Sequence, residues 1–170
     1  MHMNTPKLPQ SFAPNADNSR ALRDAFGKFA TGITLITCAG DDGPITIVAN
    51  SFASVSLDPA LVLWCLDHGS NRYQHFEAAE HYAIHVLHAG QKALCDAAAK
   101  DAHALSAGDV TVNSDGVPLI EDCLARFECR RVAVHVAGDH DIIVGKVARV
   151  SMQDGAPLTF HGGKIGALTP

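Results

Sequence analysis

Alternating apolar and polar positions run through much of the chain and predict a mainly β fold. Three stretches with apolar residues at helical spacing, 19–30, 71–79 and 91–99, predict helices. The predicted strands cover 33–38, 45–51, 60–66, 82–87, 127–137, 141–152 and 157–161. Tight turns rich in glycine and aspartate join most of them, so the pattern predicts an antiparallel β-barrel with the helices packed outside.

Three segments refine this picture. Residues 60–66 are apolar on both faces, which indicates a buried strand with Trp64 in the core. Residues 51–59 hold three serines among apolar residues and predict a transition from strand to loop. Residues 138–141, Gly-Asp-His-Asp, predict a turn between two long strands, so this turn is expected at the barrel rim.

Composition fits one globular domain. The chain has 170 residues, of which 47% are hydrophobic, and predicts a single domain at 19–170 after a flexible arm at 1–18. The net charge of −5 argues against a general affinity for nucleic acid or anionic lipid, since both need a basic face. No apolar run approaches the ~20 residues of a membrane helix. With no export signal at the N-terminus, the predicted location is the cytoplasm.

Cysteines and histidines give no metal motif. The five cysteines are odd in number and contain no C-x-x-C pair, which favours buried thiols over a disulfide framework or zinc site. Of the ten histidines, His81 and His85 share a strand face while His88 lies opposite, so the three are not expected to converge on a metal. His135 is expected to face outward.

The segment from Asn50 to residue 59 is the first candidate site. Asn50, Ser51, Ser54 and Ser56 offer hydrogen-bonding side chains beside apolar residues. A flat aromatic cofactor with a polar edge needs such a combination. The alternative is an ordinary strand end whose serines bond to the local backbone, and the residue types leave both interpretations open.

Several motifs occur in an order that identifies a family resemblance. The segments are 23–37 (RDAFGKFATGITLIT), 50–59 (NSFASVSLDP), 61–65 (LVLWC), 138–140 (GDH) and 157–158 (PL). Over about residues 20–168 the chain resembles the short-chain flavin reductases of the FMN-binding split-barrel family. These are the NAD(P)H-dependent reductase components of two-component flavin monooxygenases.

The resemblance implies an antiparallel split barrel and a set of site residues. It implies flavin contacts at Thr46, Ile47, Val48, Asn50 and Ser51, with Ser54 and Ser56 nearby. Residues matching the ribityl and phosphate end are Cys65, Leu66, Asp67, Asn71 and Arg72. The turn residues Gly138, Asp139 and Asp141 match the nicotinamide nucleotide segment, and His140 is the expected catalytic residue that orients the nucleotide. The chain departs from the usual family pattern at Val48, at residues 97–98 (both Ala) and at Ile165.

The implied activity is hydride transfer from nicotinamide C4 to flavin N5, with FMN or FAD as the flavin and NADH or NADPH as the donor. The resemblance further implies a homodimer with flavin sites at its interface, and a partner oxygenase that receives the reduced flavin. Two other hypotheses stay open at this point. One is a flavin-binding carrier or sensor without turnover, and the other is a metal-assisted enzyme that uses the histidine cluster.

Overall fold

A computed structural model describes residues 11–168 of the chain. Three helices occur in this range, α1 (Ser19–Phe26), α2 (Tyr73–Ala78) and α3 (Lys92–Lys100). The strands are β1 (Thr31–Gly32), β2 (Thr34–Gly40), β3 (Gly43–Ala49), β4 (Ala53–Leu57), β5 (Ala60–Asp67), β6 (His81–Val86), β7 (Thr111–Val112), β8 (Pro118–Leu119), β9 (Ala125–Ala137), β10 (His140–Met152), β11 (Leu158–His161) and β12 (Lys164–Ala167).

Seven of these strands form one antiparallel sheet in the order β3-β2-β6-β9-β10-β5-β4. The sheet is open between its two edge strands, β3 and β4, and residues 50–52 connect these two strands along the chain. A smaller sheet, β1-β11-β12, and the pair β7-β8 complete the fold. The predicted mainly β, antiparallel architecture is confirmed.

The main core lies between the large sheet and α2. Trp64 is fully buried, as predicted, and its ring meets Phe76 edge-on at 5.4 Å and Tyr82 at 5.9 Å between centroids. Trp64 comes from β5, Phe76 from α2 and Tyr82 from β6, so this aromatic cluster fixes the helix against the sheet. Because Phe76 anchors α2, the loop that precedes this helix is held at the end of β5.

The structure corrects the prediction for residues 51–59. Ala53–Leu57 form the edge strand β4, which pairs with β5 through the register Ala53↔Leu63 and contains a bulge between Ser54 and Ser56. Ser54 and Ser56 alternate with Ala53, Val55 and Leu57, so the segment carries the period of a strand that the prediction did not use. Its order comes from pairing with β5, the next strand along the chain, across the short connection 58–59.

Helix boundaries also differ from the predictions. Helix α1 ends at Phe26 rather than at the predicted residue 30, and Thr31–Gly32 form a short strand that pairs with β11. Helix α2 begins at Tyr73 with Arg72 at its N-cap. Ser70 Oγ, two residues earlier, accepts a hydrogen bond from Arg72 N at 3.2 Å. Strand β12 was not predicted at all.

The predicted N-terminal arm is only partly described. Residues 1–10 lie outside the described range, and Ala16–Asn18 form one 3₁₀ turn before α1. The flexibility of residues 1–18 and the domain limits 19–170 stay predictions. Within residues 11–168, every helix is too short or too polar to cross a bilayer.

Candidate functional site

A cleft of about 430 Å³ opens at the gap in the barrel, where β3 faces β5. Side chains or backbone from eight predicted positions line it: Ile47, Val48, Asn50, Ser51, Cys65, Asp67, Arg72 and His140. The fold therefore gathers into one cleft residues that are separated by up to ninety-three positions in sequence (140 − 47). This is the arrangement that a single ligand site requires.

Four further residues line the cleft without having been predicted there. They are Ala49, Ser70, Ala98 and Ala99. Ala98 and Ala99 belong to the last turn of α3, which contributes backbone rather than functional side chains to the cleft. An alanine carries no chemical signal in a single sequence, so only the packing of α3 beside β3 identifies this wall.

Ser51 joins the two strands that form the cleft. Its Oγ accepts a hydrogen bond from the backbone N–H of Cys65 at 2.9 Å. Since the oxygen serves as the acceptor, the hydroxyl hydrogen remains available to a ligand. The neighbouring Asn50 is exposed and offers an amide. These two side chains give the cleft the hydrogen-bonding groups that the sequence offered for the polar edge of a cofactor.

The free edge of β3 adds backbone groups. Thr46 N donates to Ala102 O at 2.8 Å, and Thr46 O accepts from Arg72 Nε at 3.1 Å, so both groups point away from β2. In an antiparallel ladder this orientation repeats every second residue. The N–H and C=O of Val48 therefore also point out from the sheet edge, beside the apolar side chain of Ile47.

Arg72 is the cation of the cleft. Besides Thr46 O, its guanidinium donates to Ala98 O at 2.8 Å and to Ala99 O at 3.4 Å, at the C-terminal end of α3. These carbonyls lack partners within the helix. Among residues 11–168, no carboxylate forms an ion pair with Arg72. Its positive charge is thus positioned by neutral carbonyls and stays available to an anion.

His140 borders the cleft at the β9–β10 hairpin. Gly138 has a φ of +70°, which suits the first central position of a two-residue hairpin turn, and the turn is where it was predicted. His140 Nδ1 lies 2.7 Å from Asp139 Oδ1, and this hydrogen bond lowers the pKa of Asp139. In the neutral ring Nδ1 then carries the hydrogen, which leaves Nε2 as an acceptor.

The other predicted site residues lie outside the cleft. Thr46 is buried and its Oγ1 donates to Ala102 O at 3.0 Å, and Leu66 is buried in the core. Ser54 and Ser56 lie on the edge strand β4, and Asn71 is exposed and accepts a hydrogen bond from Arg72. Gly138 and Asp139 flank the cleft in the turn without lining it.

Asp141 also lies away from the cleft, because neighbouring strand residues face opposite sides of a sheet. It is buried, with His68 Nε2 at 2.9 Å from Oδ1 and Tyr73 Oη donating to Oδ2 at 2.7 Å. The hydrogen bond from His68 is the larger cause that lowers the pKa of Asp141, and the bond from Tyr73 is the second. The hydrogen bond between Tyr73 and Asp141 also raises the pKa of Tyr73. A direct contact of Asp141 with a nucleotide stays a prediction that this placement does not favour.

Two other histidines, His85 and His135, do not line the cleft. His85 is fully buried; its Nδ1 donates to Leu35 O at 2.9 Å and its Nε2 accepts from Ile120 N at 3.1 Å. Burial lowers the pKa of His85 to about 4, so the ring is neutral. His135 is exposed, as expected. No group of three or more His, Cys, Asp or Glu side chains in residues 11–168 is arranged to hold a metal ion.

The donor set of the cleft fits a flavin mononucleotide unit. Ile47 and Val48 offer an apolar wall, Asn50 and Ser51 offer hydrogen bonds, and Arg72 offers a charge for a phosphate. The decisive feature is Arg72, whose guanidinium lies at the cleft surface and pairs with no carboxylate of the described residues 11–168, because such a group suits an anionic ligand.

The sequence model of the flavin reductase like domain family matches residues 26–169. The chain belongs to this family. Similar proteins include the FMN reductase (NADH) SmoA of Agrobacterium fabrum, which is 49% identical over 165 residues and covers 96% of this chain and 95% of its own length. The flavin-dependent monooxygenase reductase subunit HsaB of Mycobacterium tuberculosis is 34% identical over 155 residues, covering 89% and 83%.

Solved structures in the family have the same architecture. The NADH:FAD oxidoreductase SgcE6 of Streptomyces globisporus superimposes with a TM-score of 0.85 at 32% identity, over 96% of this chain and 95% of that one. A second SgcE6 structure, in complex with NAD and FAD fragments, gives a TM-score of 0.85 at 31% identity, over 94% and 98%. The predicted split barrel, flavin reductase activity and use of flavin and nicotinamide cofactors are confirmed. The comparisons give the non-catalytic alternative no support.

Proposed function

We propose that this flavin reductase uses NADH to reduce FMN and releases the reduced flavin to a separate oxygenase. The observation that carries the proposal is the cleft in which Arg72 and His140 both lie, Arg72 beside α3 and His140 at the β9–β10 hairpin. FMN and NADH are the substrates in the name of SmoA, the relative at 49% identity. FAD and NADPH are the alternatives that the test must separate.

Each residue of the cleft has a distinct part in this proposal. Arg72 binds the phosphate, and Ser51 and Asn50 donate to the polar edge of the ring system. Ile47 excludes water from one face of the cleft. His140 orients the nicotinamide nucleotide at the hairpin. The bound flavin supplies the hydride-accepting chemistry, while the protein supplies position and a defined electrostatic environment.

A cofactor matrix tests the proposal. Oxidation of NADH and of NADPH is followed by loss of nicotinamide absorbance with FMN, FAD or riboflavin added to the purified protein. The expected result is that NADH with FMN gives the highest kcat/KM. A visible flavin spectrum without nicotinamide oxidation would overturn the proposal in favour of a flavin carrier.

We also propose a homodimer, because several large apolar side chains are exposed in the single chain. Helix α1 buries no residue, and Phe26 and Phe29 are 68% and 77% exposed. Leu57 on the edge strand β4 is 97% exposed, and Val136 on β9 is 79% exposed. A second copy of the chain packed on these elements would cover such side chains. Light scattering at micromolar concentration should give twice the chain mass, and a monomer with full turnover would refute the dimer.

The proposed partner is an oxygenase that accepts diffusing reduced flavin. Support comes from relatives named as monooxygenase reductase components, such as HsaB. Release means that one protein molecule reduces many FMN molecules when FMN is in excess. Turnover that stops at one FMN per protomer would contradict release. The nicotinamide substrate also favours the predicted cytoplasmic location.

A further inference from the structure

Asp141 is a buried carboxylate with no part in the proposed ligand contacts. Its side chain is 4% exposed, on the opposite face of β10 from His140. Both carboxylate oxygens are engaged, Oδ1 with His68 Nε2 at 2.9 Å and Oδ2 with Tyr73 Oη at 2.7 Å. The rings of His68 and Tyr73 also meet edge-on, with centroids 5.3 Å apart.

These two partners bracket one segment of the chain. His68 is the first residue after β5, and Tyr73 is the first residue of α2. The β5–α2 loop (68–72) begins at His68 and ends directly before Tyr73, and it carries Ser70 and Arg72 into the cleft. A single carboxylate therefore holds both ends of the loop that positions the cation.

Asp141 is also linked to the β9–β10 hairpin that carries His140. Asp141 directly follows His140 in β10, and the backbone N–H of His68 donates to Asp139 O at 3.0 Å. His140 and Asp67 are also paired across β10 and β5. The β5–α2 loop and the turn that carries His140 thus share backbone and side-chain bonds.

We propose that Asp141 is a positioning residue: through His68 and Tyr73 it holds the Arg72 loop in fixed register with the His140 turn. The inference rests on the proposed function, in which Arg72 binds the flavin phosphate and His140 orients the nicotinamide nucleotide. A buried carboxylate with a hydrogen bond to each oxygen favours the geometry that keeps both bonds, because losing either one leaves part of the charge unsatisfied. Hydride transfer is sensitive to such geometry, because about 1 Å of misplacement can reduce a rate ~100-fold.

The test uses Tyr73→Phe, which removes one hydrogen bond and keeps the ring, and Asp141→Asn, which removes the charge. Asp122→Asn is the control, because Asp122 likewise accepts from a histidine, His88 at 3.1 Å, and from Gln153 at 3.2 Å, away from the cleft. For each protein, titration gives the dissociation constants of FMN and riboflavin. Stopped-flow reduction of bound FMN at saturating NADH gives the limiting rate, and melting curves define a temperature at which all variants are folded.

Tyr73→Phe and Asp141→Asn should each lower the affinity advantage of FMN over riboflavin at least threefold and the limiting rate about tenfold. His68→Gln, whose amide can donate to the same carboxylate, should retain most of both quantities, and Asp122→Asn should match wild type. A purely structural role would lower the melting temperature and leave both quantities unchanged. That result would overturn the proposal. A change in only one of the two quantities would also overturn it, because Asp141 is proposed to hold both the Arg72 loop and the His140 turn.

Two further outcomes separate this inference from the function on which it rests. A wild-type protein without NADH-dependent FMN reduction, or without preference for FMN over riboflavin, would refute the proposed function itself. If Asp141→Asn does not fold, Tyr73→Phe decides alone. Wild-type values in a folded Tyr73→Phe protein would overturn the inference and leave the proposed function intact.

Discussion

Replacing Arg72 tests the proposed phosphate site most directly. The guanidinium donates to Thr46 O at 3.1 Å and to Ala98 O at 2.8 Å, so Arg72→Ala removes both bonds along with the charge. FMN and riboflavin differ only in the phosphate. Any direct role of the charge in ligand binding must therefore appear as a larger effect on FMN than on riboflavin.

The expected magnitude follows from hydrogen-bond energies. A hydrogen bond to a charged group contributes about 1.5–3 kcal/mol, and every 1.4 kcal/mol is about tenfold in affinity. Arg72→Ala should thus weaken FMN by about 10- to 100-fold more than riboflavin. Loss of the carbonyl partners at the end of α3 should also lower the free energy of unfolding by about 1–2 kcal/mol. Arg72→Lys keeps the charge without the planar fork and should recover part of the FMN affinity.

The assay is a titration of both flavins against wild type, Arg72→Ala, Arg72→Lys and the control Lys92→Ala. Lys92 is half-exposed and paired with Asp96, so its replacement changes net charge equally at a position outside the cleft. Equal losses for FMN and riboflavin in Arg72→Ala would refute the reasoning. Arg72 would then act only by holding α3 and β3 together.

Three other predictions concern the rest of the cleft and the core. The double change Asn50→Ala with Ser51→Ala should weaken FMN and riboflavin alike, since each lost donor is worth about 1–3 kcal/mol, and unchanged titrations would place the site elsewhere. His140→Ala should raise the apparent KM for NADH or slow stopped-flow reduction with flavin affinity nearly unchanged; identical kinetics would leave the turn a structural role. Burial lowers the pKa of His85 to about 4, whereas in the unfolded chain a histidine binds its proton near pH 6.5. Between pH 7 and pH 5 the unfolded state therefore gains a proton that the native state does not bind, and the free energy of unfolding should fall by about 2 kcal/mol. Urea unfolding at both pH values, with exposed His135→Asn as control, checks this; a His85→Asn protein that shows the full drop would contradict it.

The sequence by itself determined most of the strand framework and the chemical parts of the cleft. Strands with clear alternation, such as β9 and β10, were predicted within a residue or two of their ends. The turn at Gly138 was recognisable because a glycine between two alternating strands marks a hairpin. Asn50 and Ser51 were singled out by side-chain chemistry and Arg72 by the family resemblance, and both are fully present in the sequence.

Tertiary structure alone decided which neighbours of these residues share the cleft. Strand alternation shows that His140 and Asp141 face opposite sides of β10, but not which side faces a ligand. The fold places His140 at the cleft and Asp141 against His68 and Tyr73.

One further feature had no local signal: one wall of the cleft is the backbone of Ala98 and Ala99 at the end of α3. Apart from the N–H that proline lacks, backbone groups are the same in every residue. They become specific to a site only when distant segments meet, which is why local sequence patterns could not predict this wall.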